Sequence, residues 1–446
     1  MGRTRHRKKG PPQGLFEANI ETMSHDGRGI ARIEGKTTFI DNALPGEQVR
    51  FRYNFQRRKF DEGSAEEITL ANEHRAEPPC AHSFLCGGCS LQHLSTDEQI
   101  VRKQHTLAEQ LEHFGGIVPE QWLEPLTGPV VGYRSRARLG AKYVYTREQM
   151  MVGFREKRHK YLADISRCEV LRAPLGESLE PLSELIASLV IRGSIPQVEI
   201  AAGDSDIALI FRHLDPLGEG DQAKLEAFCA ERGWHCYLQP GNESTMHRIL
   251  PSEGPERLYY AHPDVGITLA FHPRDFTQVN SEINRKMVPL ALDLLDIEPS
   301  HRMLDLFCGL GNFTLPAALR AAHVVGVEGG KEMVERGYEN ARANNIDNVE
   351  FHAWDLTQPV KGQSWAAQKF DRILIDPPRT GALEVIPQIA KLGAKKLVYV
   401  SCNPATLARD AGELLKAGYR LTQAGVMDMF PHTTHVESIA LFERRK

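Results

Sequence analysis

The sequence predicts an α/β protein with three folded parts: a small N-terminal β-barrel, a central α+β domain and a C-terminal domain built on a parallel sheet. Three observations support this prediction. Short β-rich runs separated by turns fill residues 14–72, strands and helices mix irregularly over residues 73–275, and strands alternate with helices over residues 276–446. Regular alternation is typical of a parallel sheet flanked by helices. A chain of 446 residues is long enough to form two or three cores.

Composition limits the class of protein. Hydrophobic residues make up 41% and charged residues 25% of the chain, as in ordinary globular proteins. No apolar run approaches the ~18 residues that a membrane span needs. The basic tail at residues 1–13 leads into no apolar segment, so it is not a secretory signal. We expect a cytoplasmic protein with no membrane partner, whose eight cysteines serve a purpose other than disulfides.

Positive charge is concentrated locally although the net charge is −4. Nine Lys/Arg residues and two Glu residues lie between Arg134 and Lys160, and further basic clusters lie in the tail and at Arg57-Arg58-Lys59. Three such clusters favour a polyanionic partner, although solvated surface charge explains any single one equally well. Alternation places Arg134, Arg136 and Arg138 on one face of a strand, which suggests a row of phosphate contacts.

The N-terminal segment 14–72 has the pattern of a small barrel. We predict strands at 15–23, 29–33, 37–40, 48–54 and 65–70, separated by turns rich in Gly, Asn and Pro. The stretches Ser24-His-Asp-Gly-Arg-Gly-Ile-Ala-Arg32 and Asp41-Asn-Ala-Leu-Pro-Gly-Glu47 resemble the TRAM domain, an OB-like barrel that binds RNA. Aromatic residues alternate along the strands, and because such residues more often belong to a core, none is assigned to RNA.

Three cysteines occur within ten residues of the central domain, at Cys80, Cys86 and Cys89. Clustered thiolates in a reducing compartment hold zinc or an iron–sulfur cluster, and both groups usually require four ligands. Cys168 is the best fourth ligand. The Cys-x5-Cys-x2-Cys spacing with one distant cysteine favours a [4Fe–4S] cluster, and zinc with His82 or His93 stays open. We predict that the cluster positions RNA-binding residues and takes no part in electron transfer.

A helix is predicted over residues 94–116, because apolar residues recur at helical spacing up to Gly115-Gly116. It belongs to the central domain in sequence, and packing on the C-terminal domain is the open alternative.

The C-terminal domain carries an acid at the end of each of three successive strands. Asp305-Leu-Phe-Cys-Gly-Leu-Gly-Asn-Phe313 follows the first strand as a glycine-bearing turn, and Glu328, Asp355 and Asp376 end the next three. Glu328 is suited to ribose hydroxyls and Asp355 to an adenine amino group. This pattern resembles class I (Rossmann-like) S-adenosylmethionine-dependent methyltransferases.

The stretch Val398-Tyr-Val-Ser-Cys-Asn-Pro404 places Cys402 where a buried strand gives way to a helix. Carbon 5 of uracil is a poor nucleophile until a thiolate adds to carbon 6, and Cys402 is suited to that task. A base must then remove the proton on carbon 5. Glu437 in His432-Thr-Thr-His-Val-Glu-Ser438 is the best candidate, with His432 and His435 as alternatives.

Taken together, these motifs resemble the RNA uracil-5-methyltransferase family, in the 23S ribosomal RNA branch that carries a TRAM domain and an iron–sulfur cluster. Asp275-Phe-Thr-Gln-Val-Asn280, Asp376-Pro-Pro-Arg379 and His435-Val-Glu437 also match the family pattern. The resemblance implies Cys402 as nucleophile, Glu437 as base and a [4Fe–4S] cluster on Cys80, Cys86, Cys89 and Cys168. It implies S-adenosylmethionine contacts at Gln278, Phe307, Asn312, Glu328, Asp355 and Asp376. Many relatives have asparagine where Asp355 stands.

The function that the resemblance implies is methylation of one uridine in 23S ribosomal RNA, with no obligate protein partner. Alternatives are a transfer RNA uridine-5-methyltransferase, a non-catalytic iron–sulfur RNA-binding protein and, less favoured, a cytosine target. The barrel and cysteine cluster argue against the transfer RNA branch, whose chains are shorter and lack both. Cys402 and Glu437 argue against a non-catalytic protein.

Overall fold

The computed structural model describes residues 10–445, so residues 1–9 of the predicted basic tail lie outside the described part. Contacts between residues divide the chain into two compact units. The first contains residues 10–99, 156–158 and 432–434, and the second contains residues 100–155, 159–431 and 435–445. Among residues 10–445, every helix is too short or too polar to cross a bilayer.

Six strands form the sheet of the first unit in the order β1-β5-β6-β4-β3-β2. They are β1 (Phe16–Asn19), β2 (Thr22–Met23), β3 (Gly29–Ile33), β4 (Lys36–Asp41), β5 (Gln48–Gln56) and β6 (Phe60–Leu70). The predicted strand 15–23 is divided: Ile20 N donates to Glu47 O at 2.9 Å and Glu21 N donates to Ile30 O at 2.8 Å. One segment thus bonds to both edges of the sheet, which closes it into the predicted barrel.

The aromatic residues of β5 fill the barrel. Phe51 and Tyr53 alternate with exposed residues along the strand and are both buried. The ring of Tyr53 packs edge-on against Phe16, with centroids 5.0 Å apart. These two side chains therefore belong to the core, as alternating aromatics usually do.

Helix α1 (Thr96–Gly115) matches the predicted helix within two residues at each end and is followed by a short strand, β7 (Gln121–Trp122). Leu107 and Leu111 are fully buried in the cluster that also contains Leu304 and Leu397 of the C-terminal sheet. The apolar stripe of α1 therefore packs on that sheet.

A second six-stranded sheet has the order β13-β12-β11-β10-β8-β9. Its strands are β8 (Arg136–Val144), β9 (Gln149–Gly153), β10 (Gln197–Ala202), β11 (Ile207–Arg212), β12 (His235–Gln239) and β13 (His247–Leu250). Helices α2 (Leu179–Ala187) and α3 (Glu219–Arg232) lie between the strands in sequence. A hairpin of β14 (Leu258–His262) and β15 (Ile267–Phe271) follows, and then helix α4 (Ser281–Leu295).

The third sheet has eight strands in the order β18-β17-β16-β19-β20-β22-β21-β7. Its remaining strands are β16 (Arg302–Leu306), β17 (His323–Glu328), β18 (Val349–Ala353), β19 (Arg372–Ile375), β20 (Lys396–Ser401), β21 (Tyr419–Met427) and β22 (Glu437–Arg444). The intervening helices are α5 (Thr314–Ala318), α6 (Lys331–Ala343), α7 (Ile386–Ile389) and α8 (Pro404–Lys416). Strands β16 to β20 are mutually parallel, as the alternation predicts, and β22 is antiparallel to its two neighbours.

Strand β7 was not predicted as part of this sheet. Gln121 and Trp122 pair in parallel with Gln423 and Ala424 of β21, although they precede the predicted boundary at residue 276 by more than a hundred residues. Two residues carry too little pattern to be recognised as a strand, which explains the omission.

Candidate active site

The turn after β16 brings open backbone to the carboxyl edge of the parallel sheet. Phe307, Gly309 and Gly311 have left-handed φ values of 61°, 54° and 101°. A Cβ atom added at Gly309 would meet only Met333 Cε within 4 Å, at 3.8 Å, so the space beside this backbone is free. A ligand can approach the turn closely. Phe307, a bulky residue at positive φ, carries strain of the kind that collects at binding sites.

Glu328 connects this turn to the next strand. Its Oε2 accepts a hydrogen bond from Gly309 N at 3.1 Å, and its Oε1 accepts one from Gly330 N at 3.2 Å. Each carboxylate oxygen has a second lone pair, so Glu328 can still accept from two hydroxyl groups. This arrangement suits the ribose that the sequence assigned to Glu328.

Two further acids of this edge are surrounded by protein. Burial raises the pKa of Asp305 to about 8, although Thr314 Oγ1 donates to its Oδ2 at 2.6 Å. Asp305 Oδ1 is buried and has no hydrogen-bond partner among residues 10–445. Burial also raises the pKa of Asp376, which follows β19, to about 7. Unsatisfied acceptors and costly negative charge at one edge fit a cationic ligand with hydrogen-bond donors.

Asp355 differs from these acids because it is exposed to solvent. Hydrogen bonds from Thr357 Oγ1 (2.7 Å) and Thr357 N (3.0 Å) to its Oδ1 lower its pKa. An ionised carboxylate at this position can accept from an adenine amine, as predicted.

Asn312, also predicted to contact the cofactor, is the centre of a polar network. Its Oδ1 accepts from Tyr260 Oη at 2.9 Å and Asn284 Nδ2 at 3.0 Å, and lies 3.1 Å from His262 Nε2. Its Nδ2 donates to Asn284 Oδ1 at 2.9 Å. Gln278 lines a small recess with Tyr260 and Asn284. Sequence patterns did not point to Tyr260, His262 or Asn284.

The loop after β20 fixes the position of Cys402. Asn403 caps α8, its Oδ1 accepting from Ala405 N at 3.2 Å, and its Nδ2 donates to Arg379 O at 3.1 Å. Ser401 Oγ accepts from Asn403 N at 3.1 Å. The loop is thereby held against the Asp376-Pro-Pro-Arg379 loop.

Strand register brings Cys402 and Glu437 together. Ser401, the last residue of β20, pairs with Ser438 of the antiparallel strand β22. The residue after Ser401 therefore stands opposite the residue before Ser438, and these are Cys402 and Glu437. Burial raises the pKa of Cys402 to about 11, with the charges of Glu437 and Asp376 adding to the shift and Arg379 opposing it. Burial likewise raises the pKa of Glu437 to about 8.

A buried ion pair lies close to this acid. Lys103 of α1 donates to Asp428 Oδ1 at 2.6 Å and to Phe430 O at 2.9 Å, and its charge lowers the pKa of Glu437. Arg379 acts in the same direction. Arg379 belongs to a motif that the sequence singled out, whereas Lys103 lies on a helix where its charge suggested only a solvated face.

The two histidines considered as alternative bases have other surroundings. His432 is buried in the first unit, where its N–H donates to Gln99 Oε1 at 2.8 Å and its Nδ1 lies 3.3 Å from Gln99 Nε2. His435 is exposed, and its ring packs 5.4 Å from that of Phe430. Glu437 remains the best-placed base.

The predicted row of three arginines is not available as a whole to phosphates. The guanidinium of Arg136 donates to Pro273 O at 2.7 Å and also to Asp275 O. Arg134 Nε donates to Arg136 O at 2.8 Å, and Arg138 pairs with Glu199 at 3.0 Å. Arg136 thus anchors the 273–277 loop, and the expectation of a continuous row is wrong.

The cysteine-rich loop lies in the first unit. Turns at Cys80–Ser83 and His82–Cys86 bend the backbone, and the thiols of Cys80 and Cys86 are close enough for their charges to interact. Lys157 lies near Cys86 and Cys89. Cys168 belongs to the second unit, where its N–H donates to Gly176 O at 3.0 Å. Within residues 10–445, no group of three or more His, Cys, Asp or Glu side chains has metal-binding geometry.

Two family models match this chain. Residues 264–445 match the model described as tRNA (Uracil-5-)-methyltransferase, and residues 15–52 match the TRAM domain.

Whole-length relatives are similar over nearly the entire chain. A protein of Alcanivorax borkumensis described as 23S rRNA (uracil(1939)-C(5))-methyltransferase RlmD is 66% identical over 440 residues, 99% of each chain. One of Alkalilimnicola ehrlichii with the same description is 53% identical over 445 residues, covering 100% of this chain and 99% of the relative. The crystal structure of Pyrococcus abyssi tRNA (uracil-54, C5)-methyltransferase with S-adenosyl-L-homocysteine has 24% identity and a TM-score of 0.72, covering 96% of this chain and 99% of that one. That likeness establishes the fold.

Proposed function

We propose that this chain, which belongs to the family of RNA uracil-5-methyltransferases, methylates carbon 5 of a uridine in 23S ribosomal RNA with S-adenosylmethionine as methyl donor. The pairing of Ser401 with Ser438 carries the proposal, because it sets a thiol and a carboxyl group beside each other at the edge that bears the cofactor acids. The substrate follows from relatives at 66% and 53% identity that are described as acting on uracil 1939 of 23S rRNA.

The residues at the carboxyl edge fit the cofactor. Glu328 would hold the ribose, Asp355 the adenine amine, and the open turn at Gly309 would lie against the bound nucleoside. Phe307, Gln278, Asn312 and Asp376 complete the proposed contacts. The cofactor supplies the methyl group as an electrophile.

Cys402 acts first, as the nucleophile toward carbon 6 of uracil. Its pKa of about 11 keeps the thiol protonated at neutral pH until substrate binding, so the proton must leave when sulfur adds. The S–C6 bond forms, the C5–C6 double bond opens, and the electron pair becomes available at carbon 5 for attack on the methyl group. Arg379 favours the thiolate at this stage.

Glu437 acts second, as the base. After methyl transfer, carbon 5 bears both the methyl group and its original proton. Glu437 removes that proton, the C5–C6 double bond re-forms, and Cys402 leaves as a thiolate. The raised pKa of Glu437 makes it a stronger base than an exposed glutamate once it is ionised.

Methyl transfer from tritiated S-adenosylmethionine to purified RNA tests the proposal. Unmodified 23S ribosomal RNA should become labelled, and Cys402→Ala should reduce the rate by at least about a thousandfold. Cys229→Ala, which removes a buried thiol of α3, is the matched control and should stay near the wild-type rate. Full turnover by Cys402→Ala would refute the mechanism.

Transfer RNA is the second candidate substrate, because the solved structure with the same fold is described as a tRNA methyltransferase. Parallel assays on 23S ribosomal RNA and transfer RNA separate the two. Labelling of transfer RNA alone would overturn the proposed substrate and leave the chemistry intact.

We also propose that Cys80, Cys86, Cys89 and Cys168 hold a [4Fe–4S] cluster. The spacing of the first three cysteines and the approach of Lys157 to Cys86 and Cys89 support it, because an ammonium group stabilises thiolate charge. The cluster would tie the cysteine loop to the segment that ends at Cys168 and hold RNA-binding residues in place.

A further inference from the structure

One face of the central sheet ends in a row of polar side chains. Gln197 of β10 pairs with Arg212 of β11, which pairs with Gln239 of β12. Residues that pair across neighbouring strands point to the same side of a sheet. The same face carries Ile210 and Tyr237 further along, and both are buried in the core. The face is thus apolar at one end and polar at the other.

The polar end forms an open groove of about 490 Å³. Glu199 and its register partner Arg138 line it beside the row, and the turn at residues 241–244 closes one side. A groove of this volume is within the range of ligand-binding sites. None of its lining residues has a role in the proposed methyl transfer.

Some of the lining groups already have partners. Arg138 Nε lies 3.0 Å from Glu199 Oε1, and Gln197 Nε2 donates to the same oxygen at 2.7 Å. Gln239 Nε2 makes a long contact of 3.5 Å to Gly241 O. These contacts fix the side chains that border the groove.

Two buried atoms in the row have none. Arg212 Nε, a donor, and Gln239 Oε1, an acceptor, are inaccessible to water and lack a hydrogen-bond partner among residues 10–445. Gln239 as a whole is only 4% exposed. Leaving such groups unpaired in a folded protein is unfavourable, so the pair is suited to a ligand that donates and accepts side by side.

We infer that this groove binds an unstacked nucleobase of the RNA substrate, an inference that rests on the proposed function. Edges of nucleobases present a donor and an acceptor next to each other, and a guanidinium plane can stack on their rings. A phosphate fits less well, because the carboxylates of Glu199 and Glu243 balance the charges of Arg138 and Arg212. The groove would therefore read a base and contribute to the choice of RNA, apart from the uridine that reacts.

Binding of a 23S ribosomal RNA fragment without cofactor tests the inference on the full chain. Arg212→Lys keeps the charge but loses the Nε donor, and Gln239→Met keeps the size but loses the acceptor. Each should raise the Kd about tenfold, the range for loss of one good base contact. Lys224→Ala, which removes an exposed charge of α3 outside the groove, is the control and should bind as the wild type does.

Several outcomes would overturn the inference. Wild-type affinity in both variants would do so, and so would weak binding only in Arg212→Ala with a reduced salt dependence, which would indicate a phosphate contact. If the buried substitution at residue 239 prevents folding, Arg212→Lys decides. Methyl transfer to the same fragment is measured separately, so failure of the proposed reaction with intact binding differs from failure of the groove.

Discussion

At the scale of single residues, Glu437 connects burial to chemistry. A carboxyl group with a pKa of about 8 is protonated in a large fraction of molecules at neutral pH, and only the ionised form can accept the carbon 5 proton. Lys103 and Arg379 draw the pKa down, while Asp376 raises it. The base is thus set by four neighbours and not by its own sequence motif alone.

Replacing Glu437 by Gln should separate the two halves of the reaction. Cys402 can still add to uracil and the methyl group can still transfer, but the carbon 5 proton stays and the sulfur cannot leave. We expect turnover to fall at least about a thousandfold and a covalent RNA–protein adduct to accumulate. Denaturing electrophoresis with labelled RNA would show it, and Cys402→Ala should give none. Rapid turnover without an adduct would point to another base.

The buried acids also predict a dependence of stability on pH. Burial raises the folded-state pKa of Asp305, Asp376 and Glu437 to about 8, 7 and 8, from ordinary values of 3.8 for Asp and 4.5 for Glu. Between those limits the folded protein holds more protons than the unfolded chain, so the free energy of unfolding falls as pH rises from about 4 to 8.

Thermal unfolding of Glu437→Gln checks the sign. The neutral amide needs no proton, so the Tm of the variant should gain on the wild type as pH rises from 5 to 8. Glu335→Gln, at an exposed position of α6, is the control, and its difference from the wild type should stay constant. A constant difference for Glu437→Gln would contradict the raised pKa.

At the scale of elements, helix α8 and strand β20 together place the reactive sulfur. Asn403 caps the helix with one side-chain atom and holds the Arg379 loop with the other. Pro404 at the first helical position suits this arrangement because its missing N–H is not needed there.

Asn403→Ala should therefore affect both stability and rate. Loss of the cap costs about 1 kcal/mol of unfolding free energy, and a less fixed Cys402 should lower kcat more than it raises KM for RNA. Denaturant unfolding and steady-state methyl transfer measure the two effects. Lys416→Ala at the far end of the same helix should change neither by much. Unchanged kcat in Asn403→Ala would show that the cap does not position the thiol.

The sequence predicts elements well where periodicity is strong and long. The parallel order of β16 to β20 and helix α1 follow from alternation and from an apolar stripe. Strand β7 has two residues and gains its partner only through tertiary packing. The barrel strand at 15–23 is divided because residues 20 and 21 bond to opposite edges, which no local pattern encodes.

The candidate site shows the same division. Glycines, strand-end acids and the cysteine loop have local signatures, and the family resemblance adds the role of each. The partners of these residues do not have such signatures. Lys103 reaches Asp428 across 325 positions, and Asn312 is held by Tyr260 and Asn284, which only the fold brings near.

At the scale of the whole molecule, the proposed cluster would use cysteines from both units. Loss of one ligand should remove it: anaerobically purified Cys86→Ser should lose its iron, its sulfide and the broad visible absorbance. Cys236→Ser, which changes a buried thiol of the central sheet, should keep all three. Full iron content in Cys86→Ser, or zinc in the wild type, would refute the proposed cluster.

The pairing of β7 with β21 has a consequence for synthesis. Helix α1 and β7 leave the ribosome long before the strands on which they pack, and the whole central sheet is made in between. The third sheet therefore cannot complete itself until translation is nearly finished. A fragment that starts at residue 276 would expose the edge of β21 and the apolar surface beneath α1, so we expect it to aggregate when expressed alone.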